Sequence, residues 1–281
     1  MNKLFLSIGA MRAGTTWLHH QLSNHHQLNF TPEKEIHFWA APEGDRYPMR
    51  LEDRIARFRR IVENVTPKHY NERVQRNLVW YASRYLAETI DGNWYQNLFQ
   101  NSKTGAWCAD FSNLTSLLNK EGWRRVANSA DEVRAIYTLR HPIERMWSQV
   151  KFHHMYGGLQ SEFRKWSPRD YQAFFANPSA DGHCHYAANI NRAQSAIPDL
   201  PLKVLFFEDI HLRPTESLNE IEAFLEIDVR DYGAHNLGTM VNPSSNEKFP
   251  KAFIKFARPH HELECEALTK LGYELPTIWG K

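Results

Sequence analysis

The chain of 281 residues reads as an α/β fold, a central parallel sheet flanked by helices on both faces. Short apolar runs of strand length, such as Leu4 to Ile8 and Val133 to Leu139, are each followed by a segment of helical period. Strands alternating with helices imply parallel neighbours, because each crossover carries a helix. Hydrophobic residues at 42% and aromatics at 13% supply a buried core and exclude global disorder. With no internal repeat and no low-complexity linker, a single domain over 1–281 is expected.

The first strand is expected over 4–8, a helix over 16–24, and a short extended piece near 28–31 that leads into a loop around Glu35. From about 50 to 100 the pattern turns helical, with Ile55, Phe58, Ile61 and Val62 at helical spacing. The whole stretch from Pro42 to Asn101, about 42–101 and rich in Arg, Tyr and Trp, reads as a helical insertion. A strand near 107–111, a helix to about 128 and a strand over 133–139 follow. The next helix starts at Pro142, where a first-turn proline forgoes no helical hydrogen bond. Further helices are expected near 169–176 and 184–196, a strand over 203–207, and helices over 214–225 and 250–272.

The segment between the first strand and first helix, Gly9-Ala-Met-Arg-Ala-Gly-Thr-Thr-Trp17, carries the most chemistry. Its glycine spacing and Thr16 match a nucleotide-triphosphate loop, so the fold is P-loop-like, but Thr15 stands where such a loop needs lysine. The cation has moved to Arg12. Backbone N–H groups at the start of a helix still form a concave anion site, while the clamp for β- and γ-phosphates is missing. Such a loop suits a nucleotide with one phosphate and a different group at its 5′ end.

A second candidate anion site lies in Tyr137-Thr-Leu-Arg-His-Pro-Ile-Glu-Arg-Met-Trp-Ser148. Arg140 sits at a strand's carboxyl end and Ser148 about two helical turns on, so both can reach one anion above the sheet. Arg145 falls between them.

The first motif, GxxRxGTTW, resembles the 5′-phosphosulfate loop of sulfotransferases that use 3′-phosphoadenosine 5′-phosphosulfate (PAPS). The second resembles that family's 3′-phosphate motif, with Arg140, Arg145 and Ser148 in the matching places. Glu33-Lys-Glu-Ile-His-Phe-Trp39 is similar to the Glu-x-His-Phe-aromatic segment of the bacterial and glycan (heparan-sulfotransferase-like) branch, whose glutamate is the proposed base. Trp107 to Thr115 resembles a family strand and turn, with Asp110, Ser112 and Asn113 as departures. Phe206-Phe-Glu-Asp-Ile210 and the terminal stretch from Ala257 to Trp279 extend the likeness.

The resemblance implies a sulfotransferase moving the sulfuryl group of PAPS to a hydroxyl, or an amine, of a small-molecule or glycan acceptor, with 3′,5′-ADP as product. Ala13, Gly14, Thr15 and Thr16 would cradle the phosphosulfate, and Trp17 would pack on adenine or in the core. Arg140, Arg145 and Ser148 would hold the 3′-phosphate. Arg12 would stabilise the leaving oxygen and Glu35 would take the acceptor proton, with His37 as the rival base. The insertion would cover the acceptor site or form a packed subdomain. A P-loop small-molecule kinase and a noncatalytic nucleotide-binding module are the alternatives; Arg140 and Ser148 speak against the first, and the Glu35 carboxylate is unneeded by the second.

A net charge of +2 is too mild to point to nucleic acid, and no apolar stretch approaches the roughly 20 residues of a membrane span. The first residues, Met1-Asn-Lys3, run straight into the expected first strand, so no signal peptide is expected. Cys108, Cys184 and Cys265 are odd in number and widely spaced, so reduced thiols in a cytoplasmic protein are expected. Fifteen histidines include no recognised zinc spacing, and no metal is expected.

Overall fold

The computed structural model describes residues 1–41, 47–100, 105–156, 162–233, 237 and 248–280. Five parallel strands form one sheet, β1 (Lys3–Ser7), β2 (Leu28–Phe30), β3 (Trp107–Phe111), β4 (Glu132–Leu139) and β5 (Leu202–Phe206), in the order β2-β3-β1-β4-β5. The central strand β1 is flanked on both sides, and Leu4, Phe5 and Leu6 have no exposed surface. A strand covered on both faces reads as the continuous apolar run seen here.

Helix α1 (Thr15–Leu22) follows β1. The insertion contributes α2 (Leu51–Glu63), α3 (Glu72–Trp80), a π-helical turn (Tyr81–Tyr85) and α4 (Gly92–Leu98); its expected boundary residues Pro42 and Asn101 lie outside the described residues. Then come α5 (Lys120–Ala127), α6 (Pro142–Tyr156), α7 (Pro168–Phe175), α8 (Pro178–Gly182) and α9 (Tyr186–Ala196). Helices α10 (Phe207–Leu212), α11 (Pro214–Leu225) and α12 (Lys251–Lys270) complete the set. Helix α6 begins at Pro142 as its sequence requires. Phe207 leaves the sheet to open α10, a helix absent from the sequence reading.

The core divides by sheet face. On one side Leu4, Leu6, Tyr137 and Leu139 pack with Trp80, Tyr81, Tyr85, Trp94 and Tyr95 of the insertion and with Ile36, Phe38 and Trp39. On the other, Phe5 and Ile136 meet Trp17, Leu18, Leu22, Leu218 and Ile221. The insertion is therefore part of the main core. Arg54 pins it internally: its buried guanidinium donates to the carbonyls of Met49, Tyr85 and Ala87. Among the described residues no helix is long and apolar enough to cross a membrane.

The two environments predict a contrast. Leu6→Ala empties a site with no exposed surface and should cost about 2–5 kcal/mol, whereas Ile55→Ala, on a half-exposed face of α2, should cost less than about 1 kcal/mol. Urea denaturation measures both, and equal losses would contradict this account of the core.

Candidate active site

The loop after β1 is laced to β4 before it turns. Ala10 N–H donates to Thr138 O at 2.7 Å and Thr138 N–H to Gly9 O at 2.9 Å. The chain then reverses through left-handed backbone at Arg12 (φ 68°) and Gly14 (φ 86°). Gly14 is required twice over: its φ disfavours other residues, and a Cβ there would stand 2.9 Å from the Phe207 ring. Gly14 is also the N-cap of α1, without a side-chain cap. The first N–H groups of α1, at Thr15 and Thr16, therefore have no acceptor within the helix and face the concavity of the loop.

The second motif meets this loop directly. Arg12 Nε donates to Ser148 Oγ at 3.0 Å, and its guanidinium lies 5.0 Å from the Phe152 ring centre. Arg140 donates to Arg12 O at 3.3 Å and to Glu144 Oε2 at 3.1 Å, and rests 4.5 Å from the Phe207 ring centre. Thus Arg12, far off in sequence, forms one cluster with Arg140 and Ser148.

Two expected residues stand apart from that cluster. Arg145 has no exposed surface; it donates to Gln149 Oε1 at 2.6 Å and to Cys184 Sγ at 2.8 Å, which places its charge behind α6 rather than at the mouth. Four places beyond His141, whose carbonyl accepts its N–H, position 145 points inward where position 148 points toward the loop. Trp17 is 5% exposed in the core beneath the sheet, its ring 6.4 Å from His211. Thr15 is buried and Thr16 exposed.

The segment after β2 brings Glu35 to the same end of the sheet. Glu35 Oε1 accepts from Lys34 Nζ at 2.9 Å, and Oε2 accepts the Asn113 N–H at 3.1 Å. His37 Nε2 stands 3.3 Å from Oε2. The two candidate bases touch, although the backbone is not an extended strand: His37 has φ 60°. Burial works to raise the Glu35 pKa, but the Lys34 ammonium, His37 and the two hydrogen bonds outweigh it and hold the carboxyl below its ordinary range. Burial carries His37 down to about 4, against the pull of Glu35, so its imidazole is neutral near pH 7.

Residues outside the motifs hold this segment. His37 N–H donates to Ser112 Oγ at 2.9 Å, Ser112 in turn donates to Asp110 Oδ1 at 2.5 Å, and the Tyr95 hydroxyl donates to Asp110 Oδ2 at 2.9 Å. From the insertion, Arg57 donates to Glu33 Oε1 at 2.9 Å and to Glu35 O at 2.8 Å, and the Tyr81 hydroxyl donates to Glu33 Oε2 at 2.8 Å. Sequence reasoning missed Lys34, Arg57, Tyr81 and Tyr95. A signal existed for Asp110, Ser112 and Asn113, whose departures from the expected letters cluster opposite the Glu35 segment.

Among the described residues no three His, Cys, Asp or Glu side chains gather as a metal site. The Cys265 Sγ to His261 Nδ1 contact, at 3.5 Å, is an isolated pair.

A family model described as Sulfotransferase family matches residues 5–231. No curated protein matches the chain in sequence. Among solved structures, a sulfotransferase from Alicyclobacillus acidocaldarius is similar with a TM-score of 0.67 at 17% identity, over 100% of both chains. The sulfotransferase domain from the curacin biosynthetic pathway gives 0.59 at 15% identity, over 98% of this chain and 99% of that one. The sulfotransferase domain of the Synechococcus PCC 7002 olefin synthase gives 0.54 at 17%, over 98% and 96%. At these identities the likeness is one of fold.

The buried Asp110 predicts a pH signature. Burial lifts its pKa from 3.8 to about 6, against the Ser112 and Tyr95 hydrogen bonds; Glu35 adds to the rise and Lys34 opposes it. Between about pH 4 and pH 6 the native state keeps a proton that the unfolded chain has released, so this group's contribution to stability falls as pH rises through that window. Asp110→Asn removes that slope. Urea titrations of both proteins across the window should show the wild type losing ground with rising pH, and parallel curves would refute it.

Proposed function

The chain belongs to the sulfotransferase family, and from that premise we propose that it moves the sulfuryl group of PAPS to a hydroxyl, or an amine, of a small-molecule or glycan acceptor. The observation that carries this reading is the direct contact between the two candidate anion motifs, Arg12 Nε on Ser148 Oγ, with Glu35 beside the same loop. A single domain over 1–281 and a cytoplasmic setting, which suits three widely spaced cysteines, belong to the same proposal.

In this reading the N–H groups of Gly14 to Thr16 and the Thr15 and Thr16 hydroxyls hold the 5′-phosphosulfate, while the Ala13 N–H closes the turn on Ala10 O at 3.2 Å. Arg140 and Ser148 hold the 3′-phosphate, with Arg145 bracing α6 from behind. The acceptor oxygen attacks sulfur in line while Glu35 removes its proton. The bond from sulfur to the bridging oxygen breaks, and its electron pair leaves on the 5′-phosphate of 3′,5′-ADP. Such a transfer depends on positioning and charge stabilisation more than on covalent catalysis. A 3′-phosphate that takes over Ser148 frees Arg12 to follow the leaving oxygen, where a guanidinium stabilises charge without giving up a proton. Trp17 supports the adenine pocket from the core side.

Calorimetry tests the donor site. 3′,5′-ADP should bind well and 5′-AMP poorly, and Arg140→Ala should lose at least about tenfold in 3′,5′-ADP affinity, since a charge-assisted contact contributes about 1.5 to 3 kcal/mol. Equal affinities for the two nucleotides would remove the assignment, and binding of ATP with magnesium instead would favour the kinase.

Sulfuryl transfer by Glu35→Gln and His37→Ala, assayed in parallel, tests the base. The glutamine variant should lose roughly 10²-fold or more in turnover with donor binding intact. Near-normal turnover there, with loss in the histidine variant, would transfer the role to His37.

A further inference from the structure

The cation of the phosphate loop, Arg12, is turned toward Ser148. A different cation reaches the loop's other side. Lys34 Nζ lies 3.5 Å from Thr15 Oγ1 and 2.9 Å from Glu35 Oε1, with the side chain 20% exposed. It thus touches both a hydroxyl that lines the candidate phosphosulfate cradle and the candidate base. An ammonium has three N–H donors, and two serve Thr15 and Glu35. Among the described residues no other acceptor competes for the third, so it is open to a group that comes to lie beside Thr15 and Glu35.

Resting on the sulfuryl-transfer reading, we propose that Lys34 is a catalytic residue that binds the transferring sulfuryl group, reaching it from outside the phosphate loop and tying it to Glu35. The balance of the step is that of the transfer itself: the acceptor oxygen bonds to sulfur, the acceptor proton passes to Glu35, and the bridging oxygen leaves with the electron pair. Lys34 keeps its proton throughout and donates hydrogen bonds to a sulfuryl oxygen.

The arrangement also couples donor to base. In the ion pair, Lys34 directs its charge at Glu35 and depresses its basicity. An arriving sulfuryl group competes for the same ammonium, so Glu35 becomes a stronger base when there is something to transfer. Thr15 gives the geometry a fixed reference, because its hydroxyl belongs to the first residue of α1.

The test compares wild type, Lys34→Met and Lys34→Arg in three measurements: affinity for PAPS without acceptor, affinity for 3′,5′-ADP, and the pH profile of turnover. Because 3′,5′-ADP lacks the sulfuryl group, Lys34→Met should bind it within about twofold of wild type, while PAPS affinity falls roughly tenfold or more. Turnover should fall roughly 10²-fold, and the acidic limb of its profile should move to higher pH as Glu35 loses its cation. Lys34→Arg should recover part of the PAPS affinity. Equal weakening toward both nucleotides would reveal a structural lysine and overturn the proposal, as would unchanged PAPS affinity and turnover. Failure of the wild type to bind 3′,5′-ADP would instead overturn the sulfuryl-transfer reading, and the Lys34 proposal with it.

Discussion

The seam between β1 and β4 is the constraint on which the site depends. Parallel pairing in the register Ser7 with Ile136 brings two carboxyl-terminal strand ends side by side, and the bonds between Gly9, Ala10 and Thr138 carry the pairing into the loop. Everything beyond that point inherits its position from the seam: the reversal at Arg12, the start of α1, and Arg140 at the mouth of α6. A slip in a sheet buried on both faces would cost core packing along the whole strand, so the placement of the two motifs is as firm as the fold.

The Glu35 segment has no such strand to hold it. It is fastened by side chains from two directions, Asp110 and Ser112 from the sheet and Arg57 and Tyr81 from the insertion. The helical insertion thereby gains a purpose that its amphipathic pattern conceals. Besides filling core volume, it grips the backbone of the residue proposed as base through Arg57 of α2, and the nearby Glu33 through Tyr81 of the turn after α3.

The difference between these two halves explains what could be read from the chain. The motifs around Arg12 and Arg140 are legible because strand, turn and helix follow one another within a few residues, and local spacing encodes local geometry. The strand and helix pattern of the parallel sheet follows for the same reason, apart from the short α8 and from α10, which begins at an aromatic residue with the look of a strand end. The roles of Lys34, Arg57 and Tyr95 were not legible, since they depend on contacts with Thr15, Glu33 and Asp110 that only tertiary packing brings about. Arg145 illustrates the converse: its motif position suggested an anion contact, but helical phase turns it into the core beside Cys184. Trp17, open to two readings in the sequence, lies among the aliphatic residues of the lower cluster.

Phe207 lies at the junction of these parts. Its ring forms the wall that excludes a side chain at Gly14 and the platform on which the Arg140 guanidinium rests. What positions 14, 140 and 207 can each accept is therefore coupled through one ring. A larger residue at 14 needs relief from the ring, and losing the ring leaves Arg140 only its bonds to Arg12 O and Glu144, so the one aromatic side chain fixes both the room above the loop and the platform beside it.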